Sequence, residues 1–282
     1  MLANSDKIGC RNLVRKASRL IQNAGHQVLV DAATGRLAGL EGEHCSDAAS
    51  LTRRVDLLIV FGGDGTMLRV ARGIAGSKTP IVGINAGGLG FLTDIQAHQL
   101  PMALKEIFDG KTRLETRPLI EAAGNFRGGA SVLQALNDFV VTRGAAPRLI
   151  ELEVRVNEDV LTRYRCDGLI VCSPTGSTAY SLAAGGAVVS PGADVFTLTP
   201  ICPHTLSNRS VVVGMDSIIT VKVLSKRVET VLTADGQTPV PLEPGELIVI
   251  RRSRHSIRLL HLAGSSFFET LRRKLNWSGS NV

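Results

Sequence analysis

The sequence predicts an α/β first domain with an open, mostly parallel sheet, then a mostly antiparallel all-β domain, then a helical tail. Three observations predict it. Helical and strand patterns alternate through the first 110 residues, and beyond Gly110 the hydrophobic period shortens to two. The last twenty residues return to a helical pattern, with Phe267, Phe268, Leu271 and Leu275 on one face. The resulting boundaries are 1–110, 111–262 and 263–282, and the tail is expected to pack back on the first domain.

Leu13, Val14, Ala17, Leu20, Ile21 and Ala24 recur at helical spacing, and Gly25 is a natural stop. Residues 28–30 make a short apolar strand. Residues 57–61, Leu-Leu-Ile-Val-Phe, are apolar without a break, as in a parallel strand covered on both faces. Met67, Leu68, Ala71 and Ile74 mark the next helix, residues 81–84 a strand, and residues 102–108 a helix closed by Gly110. In the second half, residues 150–156, 218–224 and 228–232 read as strands. Asn157-Glu158-Asp159 and Asp235-Gly236 supply hairpin-like turns. Only residues 177–185 read as helical there.

Composition narrows the function. The chain has 282 residues, 44% of them hydrophobic, enough for one large domain or two ordinary ones. Aromatic residues are only 4%, too few for a protein that stacks single-stranded bases. The net charge of +7 is scattered, apart from Arg251, Arg252 and Arg254 and the run 272–274, which read as solvated charges or a subunit contact. Such a field gathers anionic small molecules and gives no reason to infer nucleic acid. Cys10, Cys45, Cys166, Cys172 and Cys202 are odd in number and form no C-x-x-C pair, which argues against a disulfide framework or a zinc site. No apolar h-region opens the chain, and no run approaches about 18 apolar residues. The expected protein is soluble and cytoplasmic, with no membrane partner.

The most informative stretch is Phe61-Gly62-Gly63-Asp64-Gly65-Thr66, where a buried strand runs into three glycines and then a helix. Glycine lets a phosphate or ribose lie against the backbone, and the helix start aims free N–H groups at an anion. Neither Walker A nor G-x-G-x-x-G spacing is present, because an acid stands inside the loop. A carboxylate beside phosphates is repelled unless it does chemistry there. Asp64 could accept the proton of an attacking hydroxyl, bind a divalent metal, or both. A weak base suffices where transfer is loose and the proton leaves late. In the competing reading, Asp64 or Thr66 caps the helix and the glycines only turn the chain. Asn85-Ala86-Gly87-Gly88-Leu89-Gly90 repeats the design after the next strand. Two such loops on neighbouring strands favour a nucleotide crevice.

Asn137-Asp138 interrupts an apolar run, so one of the two polar side chains faces inward, unless a bulge or turn stands there. A buried amide or carboxylate requires a partner, which ribose hydroxyls or an adenine edge would supply. From Asp167 to Ser181 a strand leads into Ser-Pro-Thr-Gly-Ser-Thr-Ala-Tyr, with a helix beginning near Thr178. Ser177 and Thr178 either cap that helix or present hydroxyls to a ligand. Gly185-Gly186 then ends it.

Together these segments resemble the signature set of the NAD kinase family. Residues 200–207, Pro-Ile-Cys-Pro-His-Thr-Leu-Ser, and Ala234-Asp235-Gly236-Gln237 match further family segments in order, and the resemblance spans roughly residues 11–277. The glycine loop alone is shared with diacylglycerol, sphingosine and 6-phosphofructo-type kinases, whereas the Thr-Gly-Ser-Thr-Ala-Tyr motif is specific. The resemblance implies phosphorylation of the 2′-hydroxyl of the adenosine ribose of NAD by ATP, giving NADP. It makes Asp64 the catalytic acid-base residue. Gly62, Gly63, Gly65 and Thr66 shape the phosphate loop, with Arg69, Gly87, Gly88 and Gly90 beside it. Asn137, Asp138, Arg148, Arg165 and Asp167 bind the dinucleotide; Thr178, Ala179, Tyr180, Ser181, Leu182 and Ala183 hold its adenosine part; and Gln237 closes the site. Arg165 stands at a position tied to preference for NAD over NADH. Mg²⁺ or Mn²⁺ is the implied divalent cofactor, ATP the common donor, and a homodimer or homotetramer the implied assembly.

One departure is that the family opens with an apolar strand, whereas residues 1–10 make a poor one and hold none of the expected site residues. Two rivals share the crevice. A lipid or sphingoid-base kinase would need an apolar acceptor pocket and has no use for the long motif. A non-catalytic NAD-sensing module would gain nothing from a carboxylate among phosphates.

Overall fold

A computed structural model of the chain describes residues 1–277 except 127, 128, 130, 206 and 238, and the backbone alone at residue 8. Leu206 of the expected family segment and residues 278–282 of the tail therefore lie outside the described residues. The chain divides into two compact units, Met1–Thr116 with Ser256–Val282, and Arg117–His255. The strand Leu247–Leu262 contributes its first part to the second unit and its last part to the first.

In the first unit the strand Leu58–Gly62 pairs in parallel with Ile81–Asn85, in register from Leu58 opposite Ile81 to Gly62 opposite Asn85. Both strands are buried along their whole length, as continuous apolar runs under helices require. Leu259 adds a further parallel pairing to Ile81. Leu2–Ala3 pairs in parallel with Val60 and Phe61, so the poor sequence signal hides a real edge strand. Two buried residues are all it needs, too few to give a periodic pattern. The helix Ile8–Asn23 buries Cys10, Val14, Ala17 and Ile21 against Ile59, Phe61, Val82 and Ile84. The helix Leu100–Phe108 adds Ala103 and Leu104 to the same core. The tail helix Phe267–Leu275 buries Leu271, and the ring of Phe267 lies 6.3 Å from that of Phe91. Phe268 points outward and is 58% exposed, so its place on the expected apolar face is not used inside this unit.

The second unit is antiparallel. One sheet runs in the order Val211–Gly214, Val195–Ile201, Gly168–Cys172, Asp138–Arg143, Thr230–Ala234 and Val240–Leu242. Ile150–Val156 pairs with Asp159–Cys166 through a hairpin in which Asn157 takes φ 55°, and pairs on its other side with Ile219–Val223. Ile150, Leu152 and Val154 point into a core that also receives Phe139, Val141, Leu169, Val171, Phe196 and Leu198. On the opposite face of Gly168–Cys172, Ile170 and Cys172 pack with Val140, and Ala184 and Ile201 lie against them. Burial on both faces explains the unbroken run Leu-Ile-Val-Cys.

Candidate functional site

In the first unit Gly63 is the N-cap of the helix Asp64–Gly73, extended and without a side-chain bond. Asp64 is thus the first helical residue rather than the cap, and its carboxylate turns to the neighbouring loop. Oδ2 accepts from the Phe91 N–H at 2.8 Å; Oδ1 accepts from the Leu92 N–H and the Thr93 hydroxyl, each at 3.1 Å. Thr93 accepts in turn from Asn85 Nδ2 at 2.8 Å, while Asn85 Oδ1 accepts from the Gly87 N–H at 2.6 Å and its amide donates to the Gly88 carbonyl. The second loop is thereby folded on Asn85 and clamps the acid of the first. Two glycines are sterically required. A Cβ on Gly62 would lie 2.5 Å from Thr66 Oγ1, and one on Gly90 only 2.0 Å from Asp64 Oδ1. Gly65 and Gly88 face open space, and Arg69 is exposed on the helix.

The far end of the second loop is anchored through Asp94. His261 Nδ1 lies 3.1 Å from Asp94 Oδ2, the Ser265 hydroxyl donates to the same oxygen, and His261 Nε2 is 3.1 Å from Glu115 Oε2. The second contact is an ion-pair distance without the alignment of a straight hydrogen bond. Burial alone would lower the His261 pKa, but the hydrogen bond to Asp94 and the negative charges of Asp94 and Glu115 outweigh it and hold the value above the ordinary imidazole range. Asp94 is held below the usual carboxylate range, the opposing burial being offset by His261 and Ser265.

In the second unit Asn137 lies in the bend just before the strand Asp138–Arg143, which Asp138 opens, and the two are 9% and 4% exposed. No bulge stands there. Instead the backbone at this point is held by Asp235, whose carboxylate accepts from the N–H groups of Leu136, Asn137 and Asp138 at 3.1, 2.7 and 3.2 Å. Asp235 sits in the Asp235-Gly236 turn, with φ of 51° and 64°, and its own N–H donates to the Asp138 carbonyl. Burial first, and then the negative charge of Asp235, pushes the Asp138 carboxyl up to about 7. Asn137 Oδ1 is buried and has no hydrogen-bond partner among the described residues, the condition of a group waiting for a donor.

The long motif folds as a strand, a 3₁₀ turn Thr175–Thr178 and one helical turn Tyr180–Ala183, starting two residues later than the sequence suggests. Ser177 does not cap that helix. Its hydroxyl donates to the Pro174 carbonyl at 2.7 Å and accepts from the Val189 N–H at 3.0 Å. Gly176 packs on Asn137, where a Cβ would lie 2.3 Å from the Asn137 carbonyl oxygen, and the Ser173 hydroxyl donates to the Leu136 carbonyl. Asn137 and the hydroxyl-rich turn therefore form one construction. Ser181 is fully buried and shares a hydroxyl chain with Thr199 and Ser210, at 2.9 and 2.8 Å. Thr178, Ala179 and Leu182 are half-buried, while Tyr180, Ala183 and Gln237 are exposed. Asp167 is ion-paired with Arg143 at 2.7 Å. Arg148 is exposed, and Arg165 reaches only to within 3.9 Å of Glu151.

Several residues with a place in these sites are not among the expected site residues. Phe91 and Leu92 act through backbone N–H groups, which no letter encodes. Thr93 and Arg143 are ordinary residues of a loop and a strand until their partners are known. Asp235 looks like a turn residue and is one, but it also serves as the acceptor for three strand N–H groups.

The first unit thus holds two strand-end loops joined at one carboxylate, and the second a buried Asn-Asp pair packed on a Thr-Gly-Ser-Thr turn. Residues 1–112 match the family model of the ATP-NAD kinase N-terminal domain, and residues 136–262 that of the C-terminal domain. The NAD kinase of Symbiobacterium thermophilum is 41% identical over 278 residues, 98% of each chain. That of Syntrophotalea carbinolica is 42% identical over 239 residues, 84% of each. Among solved structures, an NAD kinase from Archaeoglobus fulgidus in complex with ATP superposes with a TM-score of 0.74 and 26% identity, covering 99% of this chain and 100% of that one. Yeast NADH kinase complexed with NADH shares the fold at a TM-score of 0.87 and 24% identity, covering 100% of this chain and 88% of that one. Both halves of the chain, matched in order and nearly end to end, belong to the NAD kinase family.

Proposed function

We propose that this protein phosphorylates NAD at the 2′-hydroxyl of its adenosine ribose with ATP, forming NADP and ADP. The observation that carries the reading is the Asp64 carboxylate, held by Phe91, Leu92 and Thr93 inside a glycine loop that has room for phosphates. In the reaction the 2′-oxygen bonds to the γ-phosphorus, and the bridge from that phosphorus to the β-phosphate oxygen breaks. ADP leaves with the electron pair, and Asp64 takes the hydroxyl proton. Three fixed donors keep the acid pointing one way, so little reorganisation is needed as transfer proceeds.

Asn137, Asp138, Asp167, Arg148, Arg165, Gln237 and the segment Thr178 to Ala183 are proposed to bind the dinucleotide. The unpartnered Asn137 oxygen is suited to a ribose hydroxyl or an adenine amino group. Among the described residues no group of three His, Cys, Asp or Glu side chains is placed to hold a metal. The divalent cation is proposed to enter as part of the substrate, Mg²⁺ on the phosphates of ATP, the usual state of an ion that keeps most of its waters. No helix among the described residues is long and apolar enough to cross a membrane, and all five cysteines are free thiols. Free thiols fit the proposed cytoplasmic site of action. Exposed Phe268 and Trp277 are surfaces that the proposed homo-oligomer would cover.

The test mixes purified protein with NAD, ATP and Mg²⁺ and reads NADP with a coupled NADP-specific dehydrogenase. The parent forms NADP, and Asp64→Asn loses about 10²-fold or more in kcat while still binding NAD in calorimetry. Tight NAD binding by the parent with no NADP formed replaces the reading with a sensor.

A further inference from the structure

We infer that the Lys7 ammonium is a phosphate-binding group of the glycine loops, and that the phosphate it takes belongs to the triphosphate of the donor ATP. The inference rests on the kinase reading above. Lys7 Nζ lies 3.3 Å from where a Cβ would stand on Gly63 and 3.4 Å from where one would stand on Gly87. Those residues belong to the loops that follow the two adjacent parallel strands Leu58–Gly62 and Ile81–Asn85. One ammonium therefore stands beside both loops, in the space a side chain on either glycine would enter.

This position is built by the chain. The Asn4 N–H donates to the Phe61 carbonyl at 2.9 Å, and its amide Nδ2 donates to Thr66 Oγ1 at 3.3 Å. The Lys7 N–H in turn donates to the Asn4 carbonyl at 3.4 Å, and the Cys10 N–H to the Lys7 carbonyl at 3.0 Å. The segment before the helix Ile8–Asn23 is thus tied to the glycine loop at both the strand end and the following helix. Among the described residues no carboxylate lies within ion-pair distance of Nζ. The acid of the loop, Asp64, is engaged by Phe91, Leu92 and Thr93 instead.

A compact ammonium beside bare backbone suits a phosphate oxygen, which accepts from Nζ and approaches the N–H groups where Cβ atoms are missing. Of the phosphates in the reaction, those of the donor are the ones that must pass beside Asp64, and Gly63 is its immediate neighbour in sequence. Negative charge grows on the γ-oxygens and on the leaving β-phosphate as the bond breaks, and a cation fixed at this loop stabilises that change. The pyrophosphate of NAD has the same chemistry, so the experiment must separate the two sources.

Lys7→Met and Lys7→Arg are made in the full chain and compared with the parent in the NADP assay, by calorimetric NAD titration and by titration with inorganic tripolyphosphate. Lys7→Met is expected to lower kcat/KM for ATP by about 30-fold or more. NAD Kd stays within about twofold, tripolyphosphate binding weakens, and Lys7→Arg recovers part of the loss because the charge is kept. Unchanged ATP kinetics in Lys7→Met overturn the inference. So does a weakened NAD Kd with ATP kinetics intact, which assigns the cation to the dinucleotide. If the parent itself forms no NADP, the kinase reading fails separately, and equal tripolyphosphate binding by parent and Lys7→Met then removes the anion site as well. Should Lys7→Met not fold, Lys7→Gln carries the same comparison.

Discussion

Gly90 and Asp64 are locked to each other: a methyl group on Gly90 would stand 2.0 Å from Asp64 Oδ1, inside any permitted contact. The glycine is therefore a condition for the acid's orientation rather than for a turn. Gly90→Ala must push the carboxylate off the Phe91, Leu92 and Thr93 donors or shift the loop. The expected result is a kcat loss of about 10²-fold, since small misplacements of a reacting group carry costs of that order. NAD affinity measured by calorimetry remains near the parent value. A variant with parental kcat would show that the acid's position is not critical.

Asp235 satisfies three strand N–H groups at the start of Asp138–Arg143. Asp235→Ala leaves these donors without that acceptor, and each unsatisfied buried group costs about 1–3 kcal/mol. Urea unfolding should register a loss of about 3 kcal/mol or more. NAD binding should weaken too, because the backbone beneath Asn137 and Asp138 is loosened.

Asp138 gives a pH dependence of defined sign. Its carboxyl is raised to about 7 in the folded protein, from burial and then from Asp235, so folding favours the protonated form. The favourable state is complete below the unfolded value near 4, and stability declines as pH rises from there through about 7. Asp138→Asn removes this decline. Its melting temperature should exceed that of the parent at pH 8, and the difference should shrink or vanish at pH 5. Parallel pH curves for the two proteins would exclude an ionising Asp138.

The His261 pair gives a decline of the same sign, at higher pH. The His261 pKa is raised by Asp94 and Glu115, so its stabilisation is fully present below about 6.5 and is lost as pH rises through the higher folded value. Asp94 is lowered, so its share is present above the ordinary carboxylate value and is lost on acidification through the lower folded one. Denaturation of the parent across pH 6 to 9 should show a steeper fall than that of His261→Gln, which keeps only the Asp138 part. Because Asp94 follows Thr93, His261→Gln should also loosen the loop that holds Asp64, seen as faster amide exchange at Phe91 and Leu92.

What was legible in the sequence was whatever repeats or needs a special residue. Residues 57–61 announce a doubly covered strand because every position must be apolar, and Asp64 stands out because an acid among phosphate-loop glycines has no packing reason to be there. Leu2–Ala3 escaped because two residues carry no period. The clamp on Asp64 escaped for a different reason: two of its three donors are peptide N–H groups, identical in every residue, and only the fold decides where they point. Asp235 was readable as a turn former, through its neighbour Gly236, but its service to Leu136, Asn137 and Asp138 spans almost a hundred positions of sequence and appears only when the strands are paired. Lys7 lay in the stretch that held no expected site residue, since a single lysine before a helix is unremarkable until two glycine loops are found beside its tip.

The strand Leu247–Leu262 has a consequence for how the molecule is made. Residues up to Thr116 leave the ribosome first, yet their unit is completed only by the stretch that begins at Ser256, whereas Arg117–His255 is continuous and finished earlier. The unit bearing the acid therefore lacks its parallel pairing at Leu259 until the whole of the other unit has been synthesised. Synthesis interrupted near residue 255 would leave the unit that bears Asp64 without its Leu259 pairing and without the helix Phe267–Leu275.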